Sequence, residues 1–268
     1  MLISPELRPL LLREARALPL LFGGYAVEWP GGTLVVNERV PASRFNFVQD
    51  VRLGPGRILA FVEKALEHYY QRALRPTFEL PHDLPQPGTV RALAEAGYAS
   101  LGTDRSREVL LREEGELPPP DLRYRVGPVS EEDQRTFLGF FAEPRHQMEL
   151  NRYLEEDVSH PHPGERTVPY LAWRGDDPVA VALFHEEGPV RGIHAVATEP
   201  RYRGQGAASG LVTEILRTES RPPARRWVLV REGPGVPEPL RPLGFNSALS
   251  FETYGLAAHP HPPERAPG

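Results

Sequence analysis

The chain has 268 residues, of which 40% are hydrophobic and 25% charged, a composition typical of a globular protein with room for one large domain or two of ordinary size. The formal net charge of −5 excludes a global basic field of the kind that recruits nucleic acid. The absence of cysteine excludes disulfide bonds, thiolate metal sites and a cysteine nucleophile.

The N-terminal residues predict a short amphipathic helix over 5–18. Arg8, Arg13, Glu14 and Arg16 interrupt the apolar runs of this segment, so neither a signal-peptide core nor a membrane span can be built from it. Together with the missing cysteine, this pattern favours a cytoplasmic protein with no membrane partner.

The rest of the first half alternates strands and helices. A hairpin is predicted at 25–29 and 33–36, because Pro30-Gly31-Gly32 supplies turn residues between two apolar runs. Apolar residues at helical spacing from Ile58 to Tyr69 predict a long helix. The other elements expected in this half are strands at 45–51, 77–80 and 107–111 and a helix at 90–96 that ends at Gly97.

A domain boundary is predicted where Pro118, Pro119 and Pro120 follow one another. Three consecutive prolines cannot continue a helix or lie in a central strand, so they favour an extended, semi-rigid spacer. We therefore expect an N-terminal domain over 1–117, a second domain over 121–256 and a flexible tail over 257–268.

The second half repeats the order of the first. Its predicted strands are 124–129, 168–173, 179–184, 191–198, 227–230 and 249–254, and its predicted helices are one beginning at Ser130, one at 145–158 and one at 206–218. In each half a strand, a long helix, a strand, a short helical turn, a Gly-aromatic pair and a final strand follow in that order. Gly97-Tyr98 and Gly244-Phe245 are the two pairs. The pattern indicates a tandem duplication with little sequence identity.

The most informative segment runs from Ile193 to Leu216, where a strand leads into a glycine- and alanine-rich helix start. The first backbone N–H groups of a helix have no internal partner, and the helix dipole favours negative charge there. Gly204 and Gly206 let the backbone approach a ligand closely, and Arg203 adds a permanent cation. These features together predict a diphosphate-binding turn.

This segment resembles the GNAT superfamily of acetyl-CoA-dependent N-acetyltransferases. The superfamily motif is Arg or Gln, two residues, Gly, one residue, then Gly or Ala, and it matches Arg203-Gly204-Gln205-Gly206-Ala207-Ala208. Pro200 and Tyr202 ahead of it and Leu243-Gly244-Phe245 after it also match the family pattern. The resemblance covers roughly residues 121–255.

The resemblance implies an α/β (α+β) GNAT fold, with a mixed central sheet flanked by helices, and an acyltransferase that uses acetyl-CoA and no metal. It implies that the backbone amides of residues 203–208 hold the CoA pyrophosphate and that the edge of one strand pairs with the pantetheine arm. An amine would then attack the acetyl group directly, without a covalent enzyme intermediate. The implied cofactor-binding residues are Val196, Ala197, Thr198, Arg203, Gly204, Gln205, Gly206, Ala207 and Ala208.

Direct attack needs a base for the ammonium proton and an acid for the leaving thiolate. His194 is the first candidate for the base, because its pKa lies near the working range and some family members carry a base at this place. Glu199 is a weaker candidate, as are His185 and Glu186. Many relatives have a tyrosine where this chain has Leu240, so Tyr254 is considered as a substitute acid.

Several alternatives remain open. A dinucleotide-binding fingerprint fits poorly, because Glu199 to Arg203 intervene between the strand and the glycines and Glu232 arrives late. A non-catalytic acyl-CoA sensor of the same fold is favoured by the missing tyrosine. In the first half, Pro55 removes an amide from the comparable turn, which predicts that this half binds no CoA and packs against the other.

The acceptor and the oligomeric state cannot be deduced from the sequence. We expect a small-molecule or peptide amine, no nucleic acid, and a monomer or homodimer. The helix 145–158 carries candidate acceptor-site residues, and two His-Pro-His motifs are interpreted as loop residues in preference to metal ligands. These residues are Arg145, His146, Glu149, Tyr153, His160, His162, His259 and His261.

Overall fold

The computed structural model describes residues 3–84, 86–141, 165–220 and 226–256. The first half forms α1 (Leu7–Leu21), β1 (Tyr25–Trp29), β2 (Gly32–Val36), β3 (Phe47–Gln49), α2 (Pro55–Tyr70), β4 (Thr77–Pro81), α3 (Pro87–Glu95), β5 (Tyr98–Ser100) and β6 (Arg107–Glu113). The second half forms β7 (Arg125–Pro128), α4 (Gln134–Gly139), β8 (Glu165–Arg174), β9 (Asp177–Glu187), β10 (Val190–Thr198), α5 (Ala207–Glu219), β11 (Arg226–Glu232) and β12 (Asn246–Leu256).

The strands form one mixed sheet of 12 strands in the order β1-β2-β3-β4-β12-β6-β11-β10-β9-β8-β7, with β5 paired to β12. The predicted fold class, a mixed central sheet flanked by helices, is therefore confirmed. None of the described helices is both long enough and apolar enough to cross a membrane.

The predicted repeat is visible in the topology. In the first half β3 and β4 are parallel neighbours joined through α2, and in the second half β10 and β11 are parallel neighbours joined through α5. Each unit then continues into a short helical segment and a glycine with positive φ, Gly97 at 82° or Gly244 at 81°. The two-half arrangement thus follows from the same β-helix-β unit used twice.

The two halves exchange their last strands. Strand β12 of the second half pairs with β4 of the first, from Phe251↔Pro81 to Tyr254↔Phe78. Strand β6 of the first half pairs with β11 of the second, from Arg226↔Glu113 to Glu232↔Arg107. Strands β6 and β12 also pair with each other, so the centre of the sheet is built from both halves.

Helices cover both faces of the sheet at its centre. On one face, Ala207, Leu211 and Ile215 of α5 pack against buried side chains of β8 to β11. On the other face, Leu11 and Leu12 of α1 pack against buried side chains of β6, β10, β11 and β12. The first helix of the chain therefore shields the strands of the second half.

The structure differs from the sequence predictions at three local positions. Ser130 caps a turn through a 3.2 Å bond to the Asp133 amide, and α4 begins only at Gln134. The strand predicted at 45–51 is shorter, because Ser43–Phe45 form a 3₁₀ turn before β3. Strand β5 was not predicted, since three residues are too few to show a periodicity.

Candidate active site

Strands β10 and β11 separate at the middle of the second half. Their parallel pairing runs from Val190↔Arg226 to Ile193↔Leu229. Strand β10 continues to Thr198, whereas β11 continues to Glu232 while still paired with β6. Residues 194–198 of β10 therefore have an edge without a register partner in β11, at the place where the predicted pantetheine-binding residues lie.

A β-bulge marks the same position. On the β9 side the register shifts between His194↔Leu183 and Ala197↔Val181. Ala195, within the bulge, has φ of 51°, which is uncommon for a residue with a side chain. A bulge inserts one extra residue and bends its strand, so it turns the end of β10 away from β11.

The segment after β10 forms a tight turn that opens onto the start of α5. Residues Pro200–Tyr202 make one 3₁₀ turn, and Gly206 is the N-cap of α5. Gly204 has φ of 74° and Gly206 has φ of 88°, both in the left-handed region that side chains other than glycine rarely adopt. The glycines are therefore required by the backbone path itself.

The backbone amides at this turn differ in whether they already donate a hydrogen bond. Within the described part of the chain, the amides of Gly204, Gly206, Ala207 and Ala208 meet no acceptor. The amides of Arg203 and Gln205 instead donate to Pro200 and Tyr202 carbonyls, both at 3.3 Å. The set of free amides is thus narrower than predicted, and it lies at the positive end of a 13-residue helix.

Three arginines lie on this turn or contact its residues. The Arg203 guanidinium donates to the Thr198 carbonyl at 3.3 Å, and Arg174 donates to the Gln205 side chain at 2.8 Å. A Cβ on Gly206 would lie 3.2 Å from the Arg123 guanidinium, which is paired with Asp121 at 2.6 Å. Arg123 was not predicted, because it lies about 80 residues before the glycine motif and only the fold brings it there.

The turn fits a diphosphate. Residues 203–205 are exposed, and a Cβ placed on Gly204 would meet no described atom within 4 Å, so the turn is open on the Gly204 side. On the Gly206 side the Arg123 guanidinium and the Asp121 carboxylate lie 3.2 Å and 3.9 Å from a Cβ placed there. Unpaired amides, a helix N-terminus and nearby arginines together favour a multiply charged anion.

A cavity of about 370 Å³ lies beside the open edge of β10. Ala195, Val196 and Ala197 form one wall. The opposite walls come from the first half and from the residues after α4, and their members are Leu18, Phe22, Arg44, Phe45, Phe140 and Phe141. Glu232, the last residue of β11, also lines it.

A smaller cavity of about 40 Å³ adjoins the first and shares Arg44 and Glu232 with it. It is lined by the buried pair of Glu79 and Arg107, whose atoms are 3.0 Å apart. Burial raises the pKa of Glu79, and the positive charge of Arg107 opposes that shift. The large apolar cavity therefore ends in a small polar one.

His194, the first base candidate, lies on the other side of this wall. Its ring is 1% exposed, and its Nε2 is 3.2 Å from the Glu14 carboxylate of α1. It adjoins Ala195 of the bulge but does not line the cavity. The structure therefore places His194 behind the open edge of β10, in a buried pair with the first half.

His185 lies beside His194, with ring centroids 6.1 Å apart, and its Nδ1 is 3.0 Å from the Thr167 hydroxyl. Burial, with a smaller contribution from the neighbouring His194, lowers the pKa of His185 to about 4. His185 is therefore neutral at pH 7. The Glu186 carboxylate accepts a 2.8 Å hydrogen bond from the Arg191 guanidinium on the same part of the sheet.

Glu199 and Tyr254 lie apart from the cavity. Glu199 is half-buried at the end of β10, between the open edge and the glycine turn. Tyr254 packs in the core of the first half, and β6 and β11 separate its strand from β10. Its hydroxyl donates to Glu252 at 2.9 Å, and burial raises its pKa to about 12. The structure does not bring Tyr254 together with the other predicted site residues, because the exchange of last strands carries β12 into the first half.

The residue at the usual tyrosine position is part of the core. Leu240 is 8% exposed and packs in the cluster beneath α5. Residues Glu238–Leu243 form a 3₁₀ helix with Pro242 inside, because proline has no amide hydrogen to donate in a regular α-helix. The predicted helix 145–158, the two His-Pro-His motifs and the tail 257–268 lie outside the described residues.

Residues 129–232 match the model of the acetyltransferase (GNAT) family. The chain contains a GNAT-family domain. This GNAT segment includes β10, the glycine turn, α5 and β11, and its fold supports acyl transfer in general. The comparison with curated protein sequences gave no match.

Solved structures show the same fold over most of the chain. A GCN5-related N-acetyltransferase from Kribbella flavida is 16% identical with a TM-score of 0.65, covering 93% of this chain and 96% of that one. One from Sphaerobacter thermophilus is 15% identical with a TM-score of 0.62, covering 84% and 79%. A tandem GNAT protein from the clavulanic acid biosynthesis pathway is 13% identical with a TM-score of 0.57, covering 86% and 80%. At these identities the likeness concerns the fold.

Proposed function

We propose that this protein is an acetyl-CoA-dependent N-acetyltransferase that moves an acetyl group to an amine by direct attack. One observation carries the proposal: the glycine-lined start of α5, the open edge of β10 and a cavity with a carboxylate lie next to one another. A phosphate-binding turn, a strand edge for an extended arm and a place for an amine are the parts that this reaction needs.

The free amides of Gly204, Gly206, Ala207 and Ala208 would bind the CoA diphosphate, with Arg203 adding positive charge. Gln205 would orient the turn through its bond to Arg174. The edge formed by Val196, Ala197 and Thr198 would bind the pantetheine arm by backbone hydrogen bonds. Acetyl-CoA would supply the activated acetyl group as a thioester.

We place proton transfer on Glu232, since it is the one carboxylate among the described residues that line the cavity. His194, with Glu14, would position the bulged end of β10, and Glu199 would lie beside the arm without taking the proton. Leu240 has no proton to donate. A free thiol has a pKa of about 8.5, so a thiolate can leave near neutral pH without an acid from the enzyme.

The first half would bind no CoA. Helix α2 begins at Pro55, which follows Gly54 as N-cap and has no amide hydrogen to offer an anion. On this proposal residues 121–256 hold the cofactor, and residues 1–117 supply strand β6 and part of the cavity wall.

A non-catalytic acyl-CoA sensor is the second candidate, favoured by the leucine at position 240. Purified protein, acetyl-CoA, a panel of amines and a thiol-reactive dye distinguish the two functions. The enzyme releases CoA only when an accepted amine is present. Glu232→Gln should lower kcat by roughly 100-fold while acetyl-CoA still binds. Glu238→Gln, an exposed position outside the cavity, serves as the matched control. Tight binding of acetyl-CoA without turnover of any amine would favour the sensor.

A further inference from the structure

The cavity beside β10 has a shape and lining that bear on the acceptor, which neither the fold nor the glycine turn identifies. This inference rests on the proposed function and names the substrate class of the same site. We infer that the acceptor is an arylalkylamine-like compound, a primary amine on a short chain with an aromatic or comparably bulky apolar body.

Size and lining support an apolar body. The volume of about 370 Å³ lies in the range of sites for small organic ligands. Aromatic rings form much of the wall, at Phe22, Phe45, Phe140 and Phe141. Phe22 and Phe45 are buried with ring centroids 5.2 Å apart in a tilted arrangement, so this side of the wall is held in place by packing. An aromatic ligand would bury its ring against such a wall favourably.

The charged residues of the cavity lining indicate where in the cavity the amine lies and how many ammonium groups the acceptor carries. Among the described lining residues Glu232 is the only acid and Arg44 the only base. A single carboxylate suits one ammonium group, whereas a polyamine or an aminosugar with several ammonium groups would bring unpaired charge into an apolar space. Glu232 lines the cavity together with Ala195 to Ala197, so the amine would lie at the Glu232 end and the apolar body against the aromatic side chains.

A long acyl chain is a poorer occupant of this cavity. An acyl tail has no group that would pair with Arg44 or Glu232, both of which are exposed residues of the lining. An amine acceptor instead uses the carboxylate, because its ammonium group must lose a proton before attack. The polar groups at the end of the cavity thus favour the acceptor over the acyl chain.

Both halves of the chain would supply this specificity. In the first half, Leu18 lies in the last turn of α1, Phe22 is the C-cap of α1, and Arg44 and Phe45 belong to the 3₁₀ turn Ser43–Phe45. The second half adds Phe140, Phe141 and Glu232 to the lining.

The test compares acceptors on the full chain at saturating acetyl-CoA. We expect kcat/KM for 2-phenylethylamine to exceed that for ethylamine by roughly 50-fold or more, because ring burial adds to binding. Spermidine should be no better than ethylamine. Phe140→Ala should reduce the phenylethylamine-to-ethylamine ratio roughly tenfold, since Phe140 is a half-buried part of the wall. Leu59→Ala, an exposed position on α2 outside the cavity, should leave the ratio unchanged.

The outcomes separate this inference from the proposed function. Equal or better turnover of spermidine or ethylamine overturns the acceptor class and leaves acetyl transfer intact. A change of preference between acetyl-CoA and hexanoyl-CoA in Phe140→Ala, with the amine ratio unchanged, would assign the cavity to the acyl chain. If no amine is turned over, calorimetric binding of 2-phenylethylamine to the CoA-loaded chain supports the cavity assignment and its absence contradicts it. Failure to bind acetyl-CoA overturns the proposed function itself.

Discussion

Two buried histidines and one buried glutamate meet where α1 crosses the sheet. His194 contacts Glu14, and His185 lies behind it against Thr167. Gly192 makes room for the pair, because a Cβ there would overlap both the Glu14 carboxylate and the His194 ring. Burial disfavours the charged form of an imidazole, so His185 makes the stability of the fold depend on pH.

The pKa of His185 determines whether the free energy of unfolding rises or falls with pH. Its pKa is about 4 in the folded protein and about 6.5 when exposed, so the unfolded chain binds more protons between these values. Stability from neutral His185 is present in full above pH 6.5 and is lost as the pH falls towards 4. The loss is roughly 3 kcal/mol at the lower end.

Urea unfolding of the full chain between pH 8 and pH 4.5 measures this effect. The free energy of unfolding should fall with pH more steeply in the wild type than in His185→Gln, which cannot protonate at this position. Equal slopes for the two proteins would show that His185 is not the group responsible.

The residues of the glycine turn could be predicted from the sequence, because the six positions 203–208 are contiguous and their chemistry is local. The surroundings of His194 could not be predicted, since its partner Glu14 lies 180 residues earlier in the chain. In the sequence, Glu232 is an acid that follows the glycines too late for a dinucleotide-binding fingerprint. Its position at the end of the strand next to β10 was the available signal, and recognising it requires knowledge of which strands are neighbours.

At the scale of elements, the exchanged strands decide whether either half can fold alone. Strand β11 pairs with β6 along all seven of its residues. A chain that begins at residue 121 would expose this edge together with the apolar side chains that α1 covers. Unpaired edges and exposed apolar surfaces lead to aggregation.

We therefore expect residues 121–256 expressed alone to aggregate, and co-expression with residues 1–117 to restore a defined complex. Size-exclusion chromatography and circular dichroism of both preparations measure this. A soluble, cooperatively unfolding fragment 121–256 would contradict the structural role given to β6.

Most individual elements followed from local patterns, as the hairpin of β1 and β2 and the helix α2 show. The order of the strands in the sheet did not follow from local patterns. The sequence pattern predicts a strand at 249–254 but does not show that this strand lies between β4 and β6. The placement of Tyr254 in the first half, and its distance from the candidate site, follow from that pairing alone.

At the scale of the whole molecule, the two copies of the β-helix-β unit differ at the start of their helices. Helix α5 begins at Ala207 after a glycine N-cap and offers free amides, whereas α2 begins at Pro55. The first half instead contributes aromatic side chains to the cavity beside β10. The duplicated fold would thus bind its cofactor with one half and select its acceptor with residues from both.

The most direct test is the stoichiometry of acetyl-CoA on the full chain, measured by calorimetry and native mass spectrometry. One acetyl-CoA per chain is expected. Arg203→Glu should weaken binding roughly tenfold or more, because it reverses a charge beside the diphosphate site. Arg91→Glu, the same change on exposed α3, should not weaken it. Two acetyl-CoA per chain, none, or unchanged affinity in Arg203→Glu would contradict a single binding site at the start of α5.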